Sequence, residues 1–143
     1  MKLIDLYYKY KTDYKDYVIF IESGIFYNVY NSDVGVLHSL FSYTIKKIGD
    51  RFTIGFPMSY IESVCKKLKN EKINYIIINK DNNGNYYILD KYKTKNNMYD
   101  NYELDYNRLT YISNRIKNVY SKLQNKLFDK NIENILMLIE KLL

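Results

Sequence analysis

Tyr17-Val18-Ile19-Phe20-Ile21-Glu22-Ser23-Gly24-Ile25-Phe26-Tyr27-Asn28-Val29-Tyr30, followed downstream by Gly55-Phe56-Pro57, is the stretch that decides the fold. Residues 18–22 and 25–30 are β-branched and aromatic runs. Ser23-Gly24 between them is either a tight connection between two strands or a bulge in one bent strand. Because strand side chains alternate, Phe26, Asn28 and Tyr30 fall on one face and Tyr27 and Val29 on the other. That face sets an aromatic ring beside a polar side chain, an arrangement suited to reading a partner rather than filling a core.

Working outward, residues 2–14 place Leu3, Leu6, Tyr7 and Tyr10 at helical spacing. Ser32 or Asp33 can cap a helix running to about residue 43, with Val36, Leu37, Leu40 and Phe41 inward. Residues 44–48 and 51–56 form a hairpin turning at Gly49-Asp50, and Pro57, the only proline, ends the second strand. Ser59 with Glu62 makes a capping box for a helix that turns Ile61, Val64, Cys65 and Leu68 inward and Lys66, Lys67 and Lys69 outward. Residues 74–79 hold Ile76-Ile77-Ile78, the pattern of a strand buried on both faces. The turn Asp81-Asn82-Asn83-Gly84-Asn85 leads to a last strand at 86–92. As a calcium loop it fails, with its glycine misplaced and no glutamate ligand following.

The polar run that begins at Lys93 is a linker or long loop, assigned to residues 93–103. Beyond it the period changes. Leu109, Ile112, Ile116, Val119 and Leu123 recur at alternating steps of three and four, as do Ile132, Ile135, Ile139 and Leu142. Phe128-Asp129-Lys130-Asn131 supplies a turn and a new N-cap between them, giving an αα-hairpin. The expected architecture is α+β: a mixed sheet of about five to six strands with packed helices over residues 1–92, then a C-terminal helical hairpin over 104–143. The hairpin's stripes pack on the sheet or on each other, or one of them forms a homodimer or docks a partner protein.

The order and spacing of these motifs resemble the N-terminal mismatch-reading domain, domain I, of the MutS DNA mismatch repair family. There an apolar strand runs into Gly-x-Phe-Tyr-Glu, and a Gly-Ile-Pro-type turn opens a helix. Gly24, Phe26, Tyr27 and Asn28 match the first motif and Gly55-Phe56-Pro57 the second; the family's glutamate is Asn28 here. The likeness extends to the N-terminal helix ending near Tyr14, the basic Lys46-Lys47-Ile48-Gly49 stretch and the helix-strand unit reaching about Lys80. It covers roughly the first half of the chain. The resemblance implies that Phe26 stacks on a mispaired base and that residue 28 hydrogen-bonds it. The C-terminal hairpin departs from the family, whose reading domain continues into a connector domain.

At 143 residues the chain fits one domain of ordinary size. No Walker-type Gly-x-x-x-x-Gly-Lys-Ser/Thr occurs in it, so the family's ATPase is absent and the expectation is a reading domain working alone or on behalf of a partner. A net charge of +6 suits an anionic partner such as nucleic acid. An AT-rich genome enriches lysine, asparagine, isoleucine and tyrosine regardless of function, so both readings of the charge stand. Cys65 alone excludes an intramolecular disulfide and a thiolate cluster, and its helical neighbours make it a buried thiol. No signal peptide or apolar span is present, so a cytoplasmic location is expected.

Catalytic chemistry is hard to assemble. The single histidine, His38, sits in an apolar helical pattern, so no Ser-His-Asp, Cys-His or multi-histidine metal site is available. Asp33, Asp50, Glu62 and Asp90 are scattered, and none belongs to a metal-nuclease pattern. No enzyme activity, metal or cofactor is expected. The expectation is a non-catalytic module that binds double-stranded DNA, mismatched, bulged or distorted, through Phe26, Asn28 and Tyr30. Lys46, Lys47 and Arg51 of the hairpin and Lys66, Lys67 and Lys69 of the next helix would hold phosphates. The alternative is a protein-protein interaction or regulatory subunit that keeps the fold without mismatch reading.

Overall fold

The computed structural model describes residues 2–49 and 51–143, with the side chains of residues 103–105 left aside. It divides into two compact units, Met1–Asn107 and Arg108–Leu143. The first is the α+β body. Helix α1 (Leu3–Asp13) leads to strands β1 (Val18–Ser23) and β2 (Phe26–Tyr30) and helix α2 (Ser32–Phe41). Strands β3 (Lys46–Ile48) and β4 (Arg51–Pro57) follow, then helix α3 (Ile61–Asn70) and strands β5 (Tyr75–Lys80) and β6 (Tyr86–Tyr92). The sheet has six strands in the order β3-β4-β2-β1-β5-β6. Only β1 and β5 are parallel; the other four pairings are antiparallel.

The two central strands explain the apolar runs. Val18, Ile19, Phe20 and Ile21 are all fully buried, as are Ile76 and Ile78, because both faces of the sheet are covered. One face carries Ile19, Ile21, Tyr30, Ile76 and Ile78 under α1, which contributes Ile4, Leu6 and Tyr7. The other carries an aromatic cluster: Phe20 meets Tyr27, Phe56 and Tyr75 edge-on at 6.5, 5.7 and 6.2 Å. Cys65 of α3 reaches Tyr75 on this second face, so α1 and α3 lie on opposite sides of the sheet.

Two expected helix caps do not form. Asn31 is the N-cap of α2 and makes no side-chain cap bond. Ser32 and Asp33 are instead engaged with other parts of the chain. A 3-10 turn at Met58–Tyr60 moves the start of α3 beyond Ser59, so the capping box is lost and the Ser63 hydroxyl donates to the Tyr60 carbonyl at 2.9 Å. Helix α2 also stops at Phe41 rather than near residue 43, because Ser42 takes a left-handed conformation with φ of 55°. The β3–β4 turn is described only at Gly49; Asp50 lies outside the described residues.

Asp33 is the hub of a buried polar network. Its Oδ1 accepts from Lys11 Nζ at 2.7 Å and from Tyr99 Oη at 2.5 Å, and its Oδ2 accepts from the Ile19 amide at 3.0 Å. Lys11 also donates to the Tyr17 carbonyl at 2.6 Å. Tyr99 opens a 3-10 turn (Tyr99–Tyr102) in the polar segment after β6, and that segment is docked on the body. Asn97 Oδ1 accepts from the Asn74 amide, Asn97 Nδ2 donates to the Asp16 carbonyl, and the Met98 amide donates to the Lys72 carbonyl. A buried carboxylate is tolerable only with such partners.

The second unit contains most of helix α4 (Glu103–Gln124) and all of α5 (Ile132–Leu142), the expected helical hairpin. No residue of α5 is buried. Among the described residues no helix is long and apolar enough to cross a membrane.

Candidate nucleic-acid interface

The β1–β2 connection has two residues, Gly24 and Ile25, closed by the pairing of Ser23 with Phe26. Gly24 has φ of 61° and Ile25 does not share the positive φ, which is the type II′ arrangement that matches strand twist. Glycine is the residue such a turn needs at its first position. The turn makes Phe26 the first residue of β2, at the end of the sheet. Ile25 is 74% exposed and Phe26 41%. The Ile25 carbonyl accepts from the Met58 amide at 3.0 Å, which ties the tip to the residue after Pro57.

The two sequence motifs meet across β2 and β4. Phe26 pairs with Pro57 and Asn28 with Gly55. A Cβ placed on Gly55 would lie 2.6 Å from Asn28 Oδ1, so the amide rests directly over the Gly55 backbone. Phe26, Gly55 and Pro57 are exposed and Asn28 is half-buried, whereas Tyr27, Val29, Ile54 and Phe56 on the opposite face are buried. This leaves an open patch of one ring and one amide on a rigid two-strand platform.

Tyr30 shares that face but is buried beneath α1, its ring 5.5 Å from Tyr7. It is not a surface contact. Its hydroxyl accepts a long bond from Asn28 Nδ2 at 3.5 Å, so it orients the amide.

The basic residues divide between the two sides of the sheet. Lys46 pairs with Thr53 and Ile48 with Arg51, which puts Lys46 and Arg51 on the Phe26 face. Along β4 they lie about 13 and 20 Å from the Phe26–Pro57 pair, at ~3.3 Å per residue. Arg51 also approaches the Tyr8 ring of α1, at 5.8 Å. Lys47 pairs with Phe52 on the opposite face and lies 5.8 Å from its ring. Lys66, Lys67 and Lys69 are exposed on α3, also on that opposite side. Lys67 pairs with Glu71 at 3.4 Å and Lys69 lies 5.8 Å from the Tyr92 ring.

A cleft of about 300 Å³ under α3 is lined by Glu62, Cys65, Lys66, Lys69, Tyr75 and Asp90, among others. Burial pushes the Cys65 thiol up to about 11, the opposite of what a nucleophile needs. Asp33 is buried in its own network, away from the Glu62 and Asp90 of this cleft. Among the described residues no three His, Cys, Asp or Glu side chains converge as a metal site. His38 is exposed, its Nδ1 3.1 Å from the Tyr43 carbonyl.

The family model for MutS domain I matches residues 2–95. The chain belongs to the MutS domain I family. Comparison with curated proteins returns no match. MutS domain I is a mismatch-recognition module and not a catalytic one. The match runs from α1 to just beyond β6. Within the matched part, the Gly24–Asn28 motif and Gly55-Phe56-Pro57 of this MutS domain I are adjacent in space, which accounts for their joint presence in the sequence.

The sequence gives no sign of the Lys11–Asp33–Tyr99 network. An aspartate in the first turn of a helix already has a local explanation in the helix dipole. Tyr99 lies 66 residues from Asp33 in a polar segment, with nothing local to mark it as buried.

Proposed function

We propose that this MutS domain I is a non-catalytic DNA-binding module that holds mismatched or distorted duplex through Phe26. The observation that carries the reading is the exposed Phe26 ring beside an Asn28 amide fixed over Gly55 and steered by Tyr30. An apolar wedge entering a base step from the minor groove unstacks it at a cost of a few kcal/mol, least where pairing is already poor. Asn28 offers both a donor and an acceptor to the displaced base and adds no negative charge beside the phosphates. Lys46 and Arg51, on the same face, hold the backbone without reading sequence.

Fluorescence anisotropy with matched and mismatched duplexes at several salt concentrations tests this. Salt-sensitive binding with a preference for the mismatch is expected. Phe26→Ala should erase the preference, while Lys46→Gln and Arg51→Gln weaken both duplexes alike. Absence of salt-sensitive binding to either duplex ends the proposal.

A second reading concerns the hairpin. Leu136, Met137, Leu138 and Leu142 are 40–87% exposed, and a groove of about 480 Å³ is lined by Ile112, Ile116, Val119, Leu123, Ile139 and Leu143, among others. Patches of this kind mark interaction sites. We propose a second copy of the chain as the occupant, since α4 from Tyr106 onward bears only basic charges and α5 carries Glu133 and Glu140 against one lysine, Lys141. Light scattering should then show a concentration-dependent dimer that Ile139→Asp abolishes; a strict monomer excludes it.

A further inference from the structure

Helix α4 carries a charge pattern that the family match does not reach. From Tyr106 to Phe128 the sequence holds Arg108, Arg115, Lys117, Lys122 and Lys126 and not one Asp or Glu. Arg108, Arg115 and Lys122 recur every seven residues, and Tyr111 and Asn118 fill the intervening steps of three and four. These positions therefore form one stripe along the helix. All of them are exposed, as is Lys126 just past the helix end. The Arg115 guanidinium lies 5.8 Å from the Tyr111 ring.

A solvated helix face ordinarily mixes signs, because opposite charges at i,i+4 stabilise it and like charges destabilise it. Helix α3 follows that rule, with Glu62 four residues before Lys66. Helix α4 departs from it after Asp105, with no Asp or Glu three or four residues from either Arg115 or Lys122. The stripe of Ile112, Ile116, Val119 and Leu123 lines the groove that Ile139 and Leu143 also line, and the basic stripe borders that groove, with Arg115 at the shared edge. Successive cations seven residues apart are spaced about 10.5 Å along the axis.

We infer that the Arg108–Arg115–Lys122 stripe is a second nucleic-acid site, binding the sugar-phosphate backbone independently of base sequence. It rests on the reading of the chain as a DNA-binding module, and it assigns the hairpin the task of retaining DNA that Phe26 reads. Two tethered sites raise avidity through effective concentration, without requiring either to be tight. Bases are not contacted, so the stripe adds affinity and no discrimination.

The test uses the full chain and a fluorescein-labelled duplex, matched or carrying one mismatch. Arg115→Gln/Lys122→Gln, with Arg115→Glu/Lys122→Glu as the stronger perturbation, should weaken binding to both duplexes at least tenfold at low salt. The slope of log K against log salt should fall by about 1.8, or ~0.9 for each phosphate that is no longer neutralised. The ratio of mismatched to matched affinity should stay unchanged. Far-ultraviolet circular dichroism and the melting temperature establish that the Gln pair still folds. Unchanged affinity and slope in a variant chain that still prefers the mismatch overturns the second site and leaves the Phe26 reading intact. Loss of binding to phosphatidylserine vesicles with no loss on DNA overturns it as well, in favour of a membrane surface. A wild-type chain that binds no duplex overturns both readings.

Discussion

Gly55→Ala is the smallest change that should separate the reading of a base from the holding of a duplex. Its new Cβ would meet Asn28 Oδ1 at 2.6 Å, against an ordinary contact of 3.4 Å or more. The amide must therefore retreat by about 0.8 Å, beyond the ~0.5 Å within which a binding group has to be held. Asn28 is half-buried and can swing outward, so the fold should survive with a modest loss of stability. What is lost is the aim of the amide: one hydrogen bond, about 1–1.5 kcal/mol, or roughly tenfold in mismatch preference. Asn28→Ala should cost the same amount, and the double variant no more than either, because both remove a single interaction. Anisotropy titrations of the four proteins against matched and mismatched duplexes complete the cycle. If the two single losses add, or if Gly55→Ala keeps full preference, Asn28 does not read the base from above Gly55.

Other predictions concern the body that carries this patch. Lys11→Met removes the cation from a fully buried Asp33 and should cost about 3 kcal/mol or more, lowering Tm by at least ~10 °C; a loss under ~1 kcal/mol in urea unfolding would show the pair to be dispensable. Burial and the Asp33 charge raise the phenols of both Tyr7 and Tyr99 above the ordinary value of 10.0. Both are held protonated in the fold and released on unfolding, so their contribution is complete below about pH 10 and is lost as the pH rises above it. Each should subtract about 1.4 kcal/mol per pH unit there; stability that stays flat to pH 11.5 contradicts this. Cys65, pushed up to about 11 by burial, should be nearly inert to thiol reagents at pH 8 in the native protein and react stoichiometrically in denaturant. Rapid labelling without denaturant would place the thiol at the surface.

The strand cores at residues 18–21 and 75–78 were legible because burial on both faces leaves no room for polar residues, and the runs of Val, Ile and Phe show it. Alternation also placed Phe26 and Asn28 on one face. It could not say how much of that face a helix covers: Tyr7 of α1 lands on Tyr30 and stops short of Phe26. Nor could it decide which side of the sheet α3 would take, so Lys66, Lys67 and Lys69 were grouped with a patch from which the sheet separates them. The caps failed for a related reason. Ser32 and Asp33 satisfy local rules for a helix start, but Asp33 gains more from Lys11, Tyr99 and the Ile19 amide. The segment after β6 shows the limit most plainly, since Asn74 and Asn97 pin it through backbone groups and composition alone makes it solvent-facing.

If the chain binds DNA as proposed, asparagine in place of the family's glutamate changes where affinity must come from. On the Phe26 face Lys46 and Arg51 are the proposed contacts that can neutralise phosphates, and the register also puts Lys80 of β5 on that face. Two such contacts correspond to a salt slope of about 1.8, too little for tight binding at physiological ionic strength. The neutral Asn28 offsets part of that shortage by removing a repulsive charge. The α4 stripe would supply the remainder, three or four further contacts and a total slope approaching 5. A measured slope near 2 would confine binding to the sheet face. A slope near 5 that falls by about 1.8 in the Arg115→Gln/Lys122→Gln chain would mean that discrimination sits on β2 and retention on α4, in separate parts of one polypeptide.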